Sequence, residues 1–152
     1  MRQVQILEDA RKQAITRDIL EALPDWFGIP EAREEYILGS AGKLFFCAYD
    51  RERPIGFLYL EETGRDTVEI AVMGVRKEYH RQGLGRKLFG CAKEAARRQG
   101  YSFIQVKTVE MGHYAEYDRT NLFYLSLGFR EFEVFPTLWD AHNPCQVYIM
   151  AL

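Results

Sequence analysis

Apolar positions recur at helical spacing early in the chain: Ala14, Ile15, Ile19, Leu20 and Leu23 share a face, and Pro24 ends the run. A short strand, about Arg2 to Leu7, is predicted before it. A second helix is predicted from about Pro30 to Leu38, because proline suits a first turn, Glu31, Glu34 and Glu35 favour its N-terminal half, and Gly39 can end it. The period then changes. Leu44 to Tyr49 and Ile55 to Leu60 are short apolar, aromatic-rich runs joined by a polar connection of hairpin length, Asp50 to Pro54. A third run, Thr67 to Val75, follows a turn at Glu62 to Asp66, so three antiparallel strands in series are expected. From Gly83 onward Leu84, Leu88, Cys91, Ala92, Ala95 and Ala96 fall on one helical face, with Gly100 as the stop. A strand (Phe103 to Val109), a short helix (about Asp118 to Leu127, stopped by Gly128) and two closing strands (Phe129 to Phe135 and Gln146 to Ala151) complete the pattern. Strand, helix, strand around Gly83 to Val109 predicts a parallel pair with a crossover helix. No stretch has the composition of a linker, and residues 1–152 read as a single domain.

Composition narrows the function. The chain has 152 residues, 47% of them hydrophobic, which suits one ordinary core. Twenty Lys plus Arg against twenty-two Asp plus Glu give a net charge of −2, so no broad positive field exists for a nucleic-acid backbone or an anionic membrane. No apolar run approaches the roughly 20 residues of a spanning helix, and the first residues lack the apolar segment of a signal peptide, so a cytoplasmic location is expected. Cys47, Cys91 and Cys145 are odd in number and far apart, which suits reduced, buried thiols. His80, His113 and His142 have no metal-ligand spacing, and no metal is expected.

Chemistry enters at Val75-Arg76-Lys77-Glu78-Tyr79-His80-Arg81-Gln82-Gly83-Leu84-Gly85-Arg86, which leaves a strand and enters the long helix through two glycines. A helix N-terminus offers unpaired N–H groups and the positive end of a dipole, and glycine lets an anion approach closely. A tight connection without a ligand is the competing reading of these glycines alone. No Gly-Lys-Ser/Thr ending marks a nucleotide P-loop, and no third glycine with a following ribose acid marks a dinucleotide fold. The segment His80-Arg81-Gln82-Gly83-Leu84-Gly85 instead resembles the core motif of the GNAT superfamily of acyl-CoA-dependent N-acyltransferases, Arg/Gln-x-x-Gly-x-Gly/Ala, with His80 in place of the usual Arg or Gln. Further along, Phe123-Tyr124-Leu125-Ser126-Leu127-Gly128-Phe129 is similar to the family's Phe-Tyr-x-x-x-Gly-Phe segment. Tyr117 stands where many members place an Asn that contacts the cofactor, and Asn121 is out of register. The resemblance covers about Leu44 to Phe135.

The resemblance implies a mixed α/β (α+β) fold, with a mostly antiparallel sheet of six to seven strands flanked by about four helices. It also implies acetyl-CoA as cosubstrate, with its pyrophosphate on the backbone of Arg81, Gln82, Gly83, Leu84, Gly85 and Arg86. Its pantetheine arm would lie between the strand ending at Val75 and the strand from Phe103. Acyl transfer to an amine needs a base, an oxyanion donor and an acid for the departing thiolate. Glu69 is the candidate base; the competing reading is an outward Glu paired with Arg or Lys on the next strand. Strict alternation places Glu69 and Val75 on one face unless a bulge intervenes. Glu110 and Glu116 are reserve bases. The N–H at or next to Val75 is the candidate oxyanion donor. Tyr124 holds the family's general-acid position, against the competing reading of a core tyrosine. The acceptor would enter among Trp26, Phe27, Tyr36, Met111, His113, Tyr114, Glu116 and Tyr117, an aromatic pocket suited to a small cationic amine unless these are ordinary edge and core aromatics. Residues 136–145 read as a long, turn-rich connection bordering either the acceptor cleft or the subunit interface of a homodimer. Cys145 lacks the neighbours of a nucleophile. The expected activity is acetyl transfer from acetyl-CoA to a primary amine of a small molecule. The alternatives are a protein or peptide N-acetyltransferase and an inactive CoA-binding regulatory module.

Overall fold

The runs of alternating and helical periodicity become strands and helices close to their expected limits in the computed structural model, which describes residues 1–152. In chain order these are β1 (Arg2–Ile6), α1 (Asp9–Glu21), α2 (Pro30–Gly39), β2 (Leu44–Asp50), β3 (Arg53–Gly64), β4 (Thr67–Val75), α3 (Leu84–Arg98), β5 (Phe103–Val109), α4 (Ala115–Leu127), β6 (Arg130–Asp140) and β7 (Asn143–Ala151). One turn of 3-10 helix, Lys77–Tyr79, lies between β4 and α3. The seven strands form one sheet in the order β1-β2-β3-β4-β5-β7-β6. Every neighbouring pair is antiparallel except β4 with β5, which α3 connects by crossover. The expected mixed, mostly antiparallel sheet with four helices is therefore what the chain forms.

Each sheet face has its own apolar cluster. Leu84, Leu88, Phe89, Ala92 and Ala96 of α3 pack on Phe46, Leu58, Ile70 and Ile104. Ile15, Ile19 and Leu20 of α1 pack on Phe45, Phe57, Tyr59 and Val72 on the other side. Alternation along β2 and β3 sorts these residues to their faces.

β4 breaks that alternation once. Tyr59 of β3 stands opposite Val72, but Leu60 stands opposite Ile70, so Ala71 is an extra residue, a β-bulge. Before it Val68 and Ile70 face α3; after it Val72 joins the α1 cluster while Met73 and Val75 pack on the α3 side. Pairing of β4 with β5 is shorter still. Only Thr67, Val68 and Glu69 pair with Phe103, Ile104 and Gln105, and the strands then part while β5 continues along β7 to Val109.

The region 136–145 differs from expectation. It is a hairpin: β6 runs to Asp140 and β7 begins at Asn143. Asp140 Oδ1 accepts from the His142 and Asn143 N–H groups at 2.8 and 3.0 Å, closing the turn with an Asx bond. Pro136 is tolerated because β6 is an edge strand and its missing N–H is not needed by a neighbour. α4 likewise starts at Ala115, three residues before its expected limit.

All three cysteines are free; Cys47 and Cys145 are buried and Cys91 is partly exposed. Burial pushes the Cys47 thiol up to about 12 and also raises the Tyr59 phenol. A raised folded value means the folded state holds the proton more tightly than the unfolded state does. The stability this confers is whole below about pH 8.5, where an unfolded thiol also keeps its proton, and is lost as pH rises toward about 12. Urea unfolding of the wild type should therefore show a stability loss from Cys47 of about 1.4 kcal/mol for each pH unit above about 8.5. A Cys47→Ala variant should show a correspondingly shallower decline between pH 8 and pH 10.5; identical declines in the two proteins would contradict the burial argument.

Candidate active site

The turn after β4 combines strain with open backbone. Arg81 adopts φ 64° and Gly83 φ 78°, both in the left-handed region that glycine tolerates and arginine rarely enters. None of the N–H groups from Arg81 to Arg86 has an acceptor within the protein, and the first main-chain bond of α3 runs from Lys87 to Gly83. Six successive donors are thus left open at the positive end of a 15-residue helix, an arrangement suited to an anion. The two glycines differ in purpose. A Cβ at Gly83 would meet nothing within 4 Å, so this side of the turn is open and glycine serves the backbone angle. A Cβ at Gly85 would lie 2.8 Å from Phe123 Cζ and 3.1 Å from Met73 Cε, so glycine there lets α3 close on α4 and β4. Leu84 is buried between them and anchors the turn in the core.

The side chains of the turn divide likewise. Arg86 Nη2 donates to the Ser126 carbonyl at 3.2 Å and Gln82 Nε2 to the Glu78 carbonyl at 3.2 Å. Arg81 makes no hydrogen bond or ion pair within the protein and stands exposed beside the open amides. His80 turns back: its Nε2 lies 2.6 Å from the Val75 carbonyl oxygen, with the ring edge-on to Trp26. The Arg76 N–H bonds Ile55 on the β3 side. Strand alternation then aims the Val75 N–H and carbonyl at the opening where β5 has departed.

Glu69 sits where that opening begins, on the last rung shared with Gln105. Its side chain is 13% exposed, and its Oε1 accepts from Gln105 Nε2 at 2.9 Å and lies 3.0 Å from Lys107 Nζ. The competing reading, a pairing with Lys on the next strand, is therefore part of the geometry. So is a cavity: Glu69 lines a space of about 320 Å³ with Glu35, Tyr36, Glu61, Lys107 and Trp139. The Ala71 bulge separates this cavity side from the α3 side, which holds Met73 and Val75. Burial, then the charges of Glu69 and Glu35, raise the Tyr36 phenol.

Tyr124 lies on the α3 side, in the same apolar cluster as Met73 and Val75. Its ring packs against Phe123, Phe129 and Tyr148, and burial raises its phenol far above the usual value, so it retains its proton at neutral pH. Of the residues expected around the acceptor, only Tyr36 lines the 320 Å³ cavity. Trp26, Glu116 and Tyr117 instead tie the loop after α1 to the start of α4, with Tyr117 Oη donating to the Trp26 carbonyl and Trp26 Nε1 to that of Glu116. Glu110 pairs with His113 at 3.3 Å outside the cavity. Trp139 reaches it from the closing hairpin, so the segment 136–145 borders this cavity, one of its two expected placements. A larger cavity of about 510 Å³, lined by Gln5, Leu44, Glu62, Gln99 and Tyr101 among others, contains none of the expected site residues. No cluster of three or more His, Cys, Asp or Glu is placed to hold a metal ion. No helix is long and apolar enough to cross a membrane.

Residues 41–131 match the family model of an acetyltransferase (GNAT) domain. Similar solved structures include a GNAT-family protein from Desulfovibrio desulfuricans, with 17% identity, TM-score 0.83, and coverage of 99% of this chain and 98% of the other. The aminoglycoside 6'-N-acetyltransferase of Enterococcus faecium has 16% identity, TM-score 0.77, and coverage of 99% and 97%. A GNAT acetyltransferase from Elizabethkingia anophelis with acetyl-CoA bound has 18% identity, TM-score 0.69, and coverage of 90% of each chain. At these identities the likeness is one of fold. No curated protein matches the chain.

The Asn that stands out of register with the family's cofactor-contacting position links α4 to the sheet instead. Asn121, fully buried, donates through Nδ2 to the Val109 carbonyl at 2.8 Å and the Tyr117 carbonyl at 2.7 Å, and accepts from Tyr148 Oη at 2.6 Å. It joins α4, one turn before Tyr124, to the end of β5 and to β7. An Asn121→Ala variant leaves the Tyr148 hydroxyl and the Val109 carbonyl short of partners, each at a cost of about 1–3 kcal/mol. Chemical denaturation should show a loss of at least about 2 kcal/mol; a change within about 0.5 kcal/mol, as at an ordinary surface site, would contradict this role.

Proposed function

The chain belongs to the GNAT family of acetyltransferases, which act with acetyl-CoA, and on that premise we propose that it acetylates a primary amine of a small molecule by direct attack in a ternary complex. In this reading residues 1–152 work as one acyltransferase domain. The observation that carries it is the placement of a carboxylate and a phenol on opposite sides of the parted strands: Glu69 on the cavity side, Tyr124 on the α3 side.

The residues present suit the cosubstrate. The open N–H groups of Arg81 to Arg86, with the Arg81 guanidinium beside them, would hold its pyrophosphate, and the unpaired edge of β4 from Ile70 to Val75 would take the pantetheine arm as an extra strand. Acetyl-CoA supplies the activated acyl group as a thioester. The Val75 N–H stabilises negative charge on the acyl oxygen during attack. An alkylammonium has a pKa near ~10, so Glu69 takes a proton from it before the amine can attack. Tyr124, held neutral by burial, gives its proton to the departing thiolate. Around the acceptor, Glu35, Glu61 and Glu69 supply negative charge and Tyr36 and Trp139 aromatic faces, a combination that favours a cationic amine.

Free-thiol release from acetyl-CoA with a panel of small amines tests this directly. Release should require a small amine, and Glu69→Gln should lower kcat by about 100-fold or more, the usual worth of a positioned base. Tyr124→Phe should lower kcat at least about tenfold while the KM for acetyl-CoA changes little. Release dependent on a peptide instead, or CoA binding without turnover, would replace this reading; unchanged kcat in both variants would remove these residues from the chemistry.

A further inference from the structure

Glu69 is gripped by one oxygen only. Gln105 and Lys107, two residues apart and so on one face of β5, both reach Oε1: Gln105 Nε2 donates to it at 2.9 Å, and the Lys107 ammonium pairs with it at 3.0 Å. No protein group donates to Oε2. The contacts straddle the point where the strands part: Gln105 belongs to the last shared rung, while Lys107 lies beyond it and reaches back across the opening. β5 is held there by β7, with Lys107 opposite Val147, so the ammonium projects from a braced strand.

The charges around Glu69 explain what this grip achieves. Glu61 of β3 stands directly across from it in register, and Glu35 of α2 lines the same cavity. Like charges placed opposite one another on a sheet are mutually unfavourable. Tyr36 of α2, Tyr59 of β3 and Cys145 of β7 are the neutral titratable neighbours. Burial pushes the Cys145 thiol up to about 11, with Lys107 pulling it down and Glu69 pushing it up, which places the thiol within reach of both charges. Lys43, before β2, lines the cavity as a second cation. Lys107 is the only cation in contact with Glu69. A half-buried carboxylate facing two others gains from a close counter-charge, and a base needs one oxygen left free.

We propose that Lys107 and Gln105 are positioning residues that lock Glu69 through Oε1, leave Oε2 as the oxygen that receives the proton, and, through the Lys107 ammonium, offset the opposing charge of Glu61. The proposal rests on Glu69 being the base. It makes the ion pair part of the machinery, whereas a merely structural pair would serve the fold alone.

The test is a set of pH–rate profiles for wild type, Lys107→Met, Lys107→Arg, Gln105→Leu and Glu69→Gln, with thermal melts to confirm folding. In Lys107→Met the acidic limb of kcat should move up by about one pH unit or more, as loss of a contacting opposite charge requires, with the KM for acetyl-CoA unchanged. Lys107→Arg keeps the charge and should retain the wild-type limb. Gln105→Leu should lower kcat without moving KM for acetyl-CoA. A folded Lys107→Met whose limb stays at the wild-type position overturns the proposal. Should that variant fail to fold, wild-type kcat in Gln105→Leu overturns it and a lowered kcat supports it. Full activity in Glu69→Gln would defeat the underlying reading, a result distinct from either.

Discussion

A parallel pair that stops after three rungs governs this molecule. Backbone N–H and carbonyl groups in a protein are nearly always paired, with protein or with water. β4 keeps its partner β3 to the end but loses β5 after Glu69, so one edge from Ile70 to Val75 runs without a strand beside it. The bulge at Ala71 falls at the start of that stretch and turns the strand over. One extra residue therefore gives the opening two chemically different walls, acidic and aromatic toward α2, apolar with a neutral phenol toward α3 and α4. In the proposed acyl transfer this asymmetry would let one wall take a proton from the amine and the other deliver one to the thiolate.

The turn into α3 extends the same logic. An exposed N–H loses little by being left to water, so six of them can remain open without a large stability cost. The left-handed angles at Arg81 and Gly83 aim them outward, while Leu84 and the close contact at Gly85 fasten the turn to the core. His80 shows how a departure from the family motif is absorbed. Its ring bonds the Val75 carbonyl, tying the turn to the strand end, and the main-chain donors do not depend on its identity.

Local features were legible in the chain and distant ones were not. The helical stripes of α1 and α3, the three-strand meander and the crossover to β5 all follow from periodicity, since each is set by neighbours in sequence. Parity alone required a bulge between Glu69 and Val75 if they were to face opposite ways, but nothing in the apolar run from Ile70 to Val75 singles out Ala71. Turn residues such as Pro136, Asn143 and Pro144 made 136–145 resemble a loop, because an edge strand tolerates residues that a central strand rejects. The pairing of Glu69 with Lys107 and the three bonds of Asn121 depend on register between separate elements. Trp139 reaches the cavity for the same reason, and of the aromatics expected there Trp26 and Tyr117 are engaged in holding α4 to the loop after α1.

Coenzyme A is expected to seat on the open main chain of this turn and strand edge. Amide-resolved NMR of the isotopically labelled protein, titrated with coenzyme A, examines it most directly. The largest shifts and the greatest slowing of hydrogen exchange should fall on the amides of Arg81 to Arg86, followed by those of Met73 and Val75. Changes confined to the 510 Å³ cavity around Gln5, Glu62 and Tyr101, with the turn amides unmoved, would contradict it.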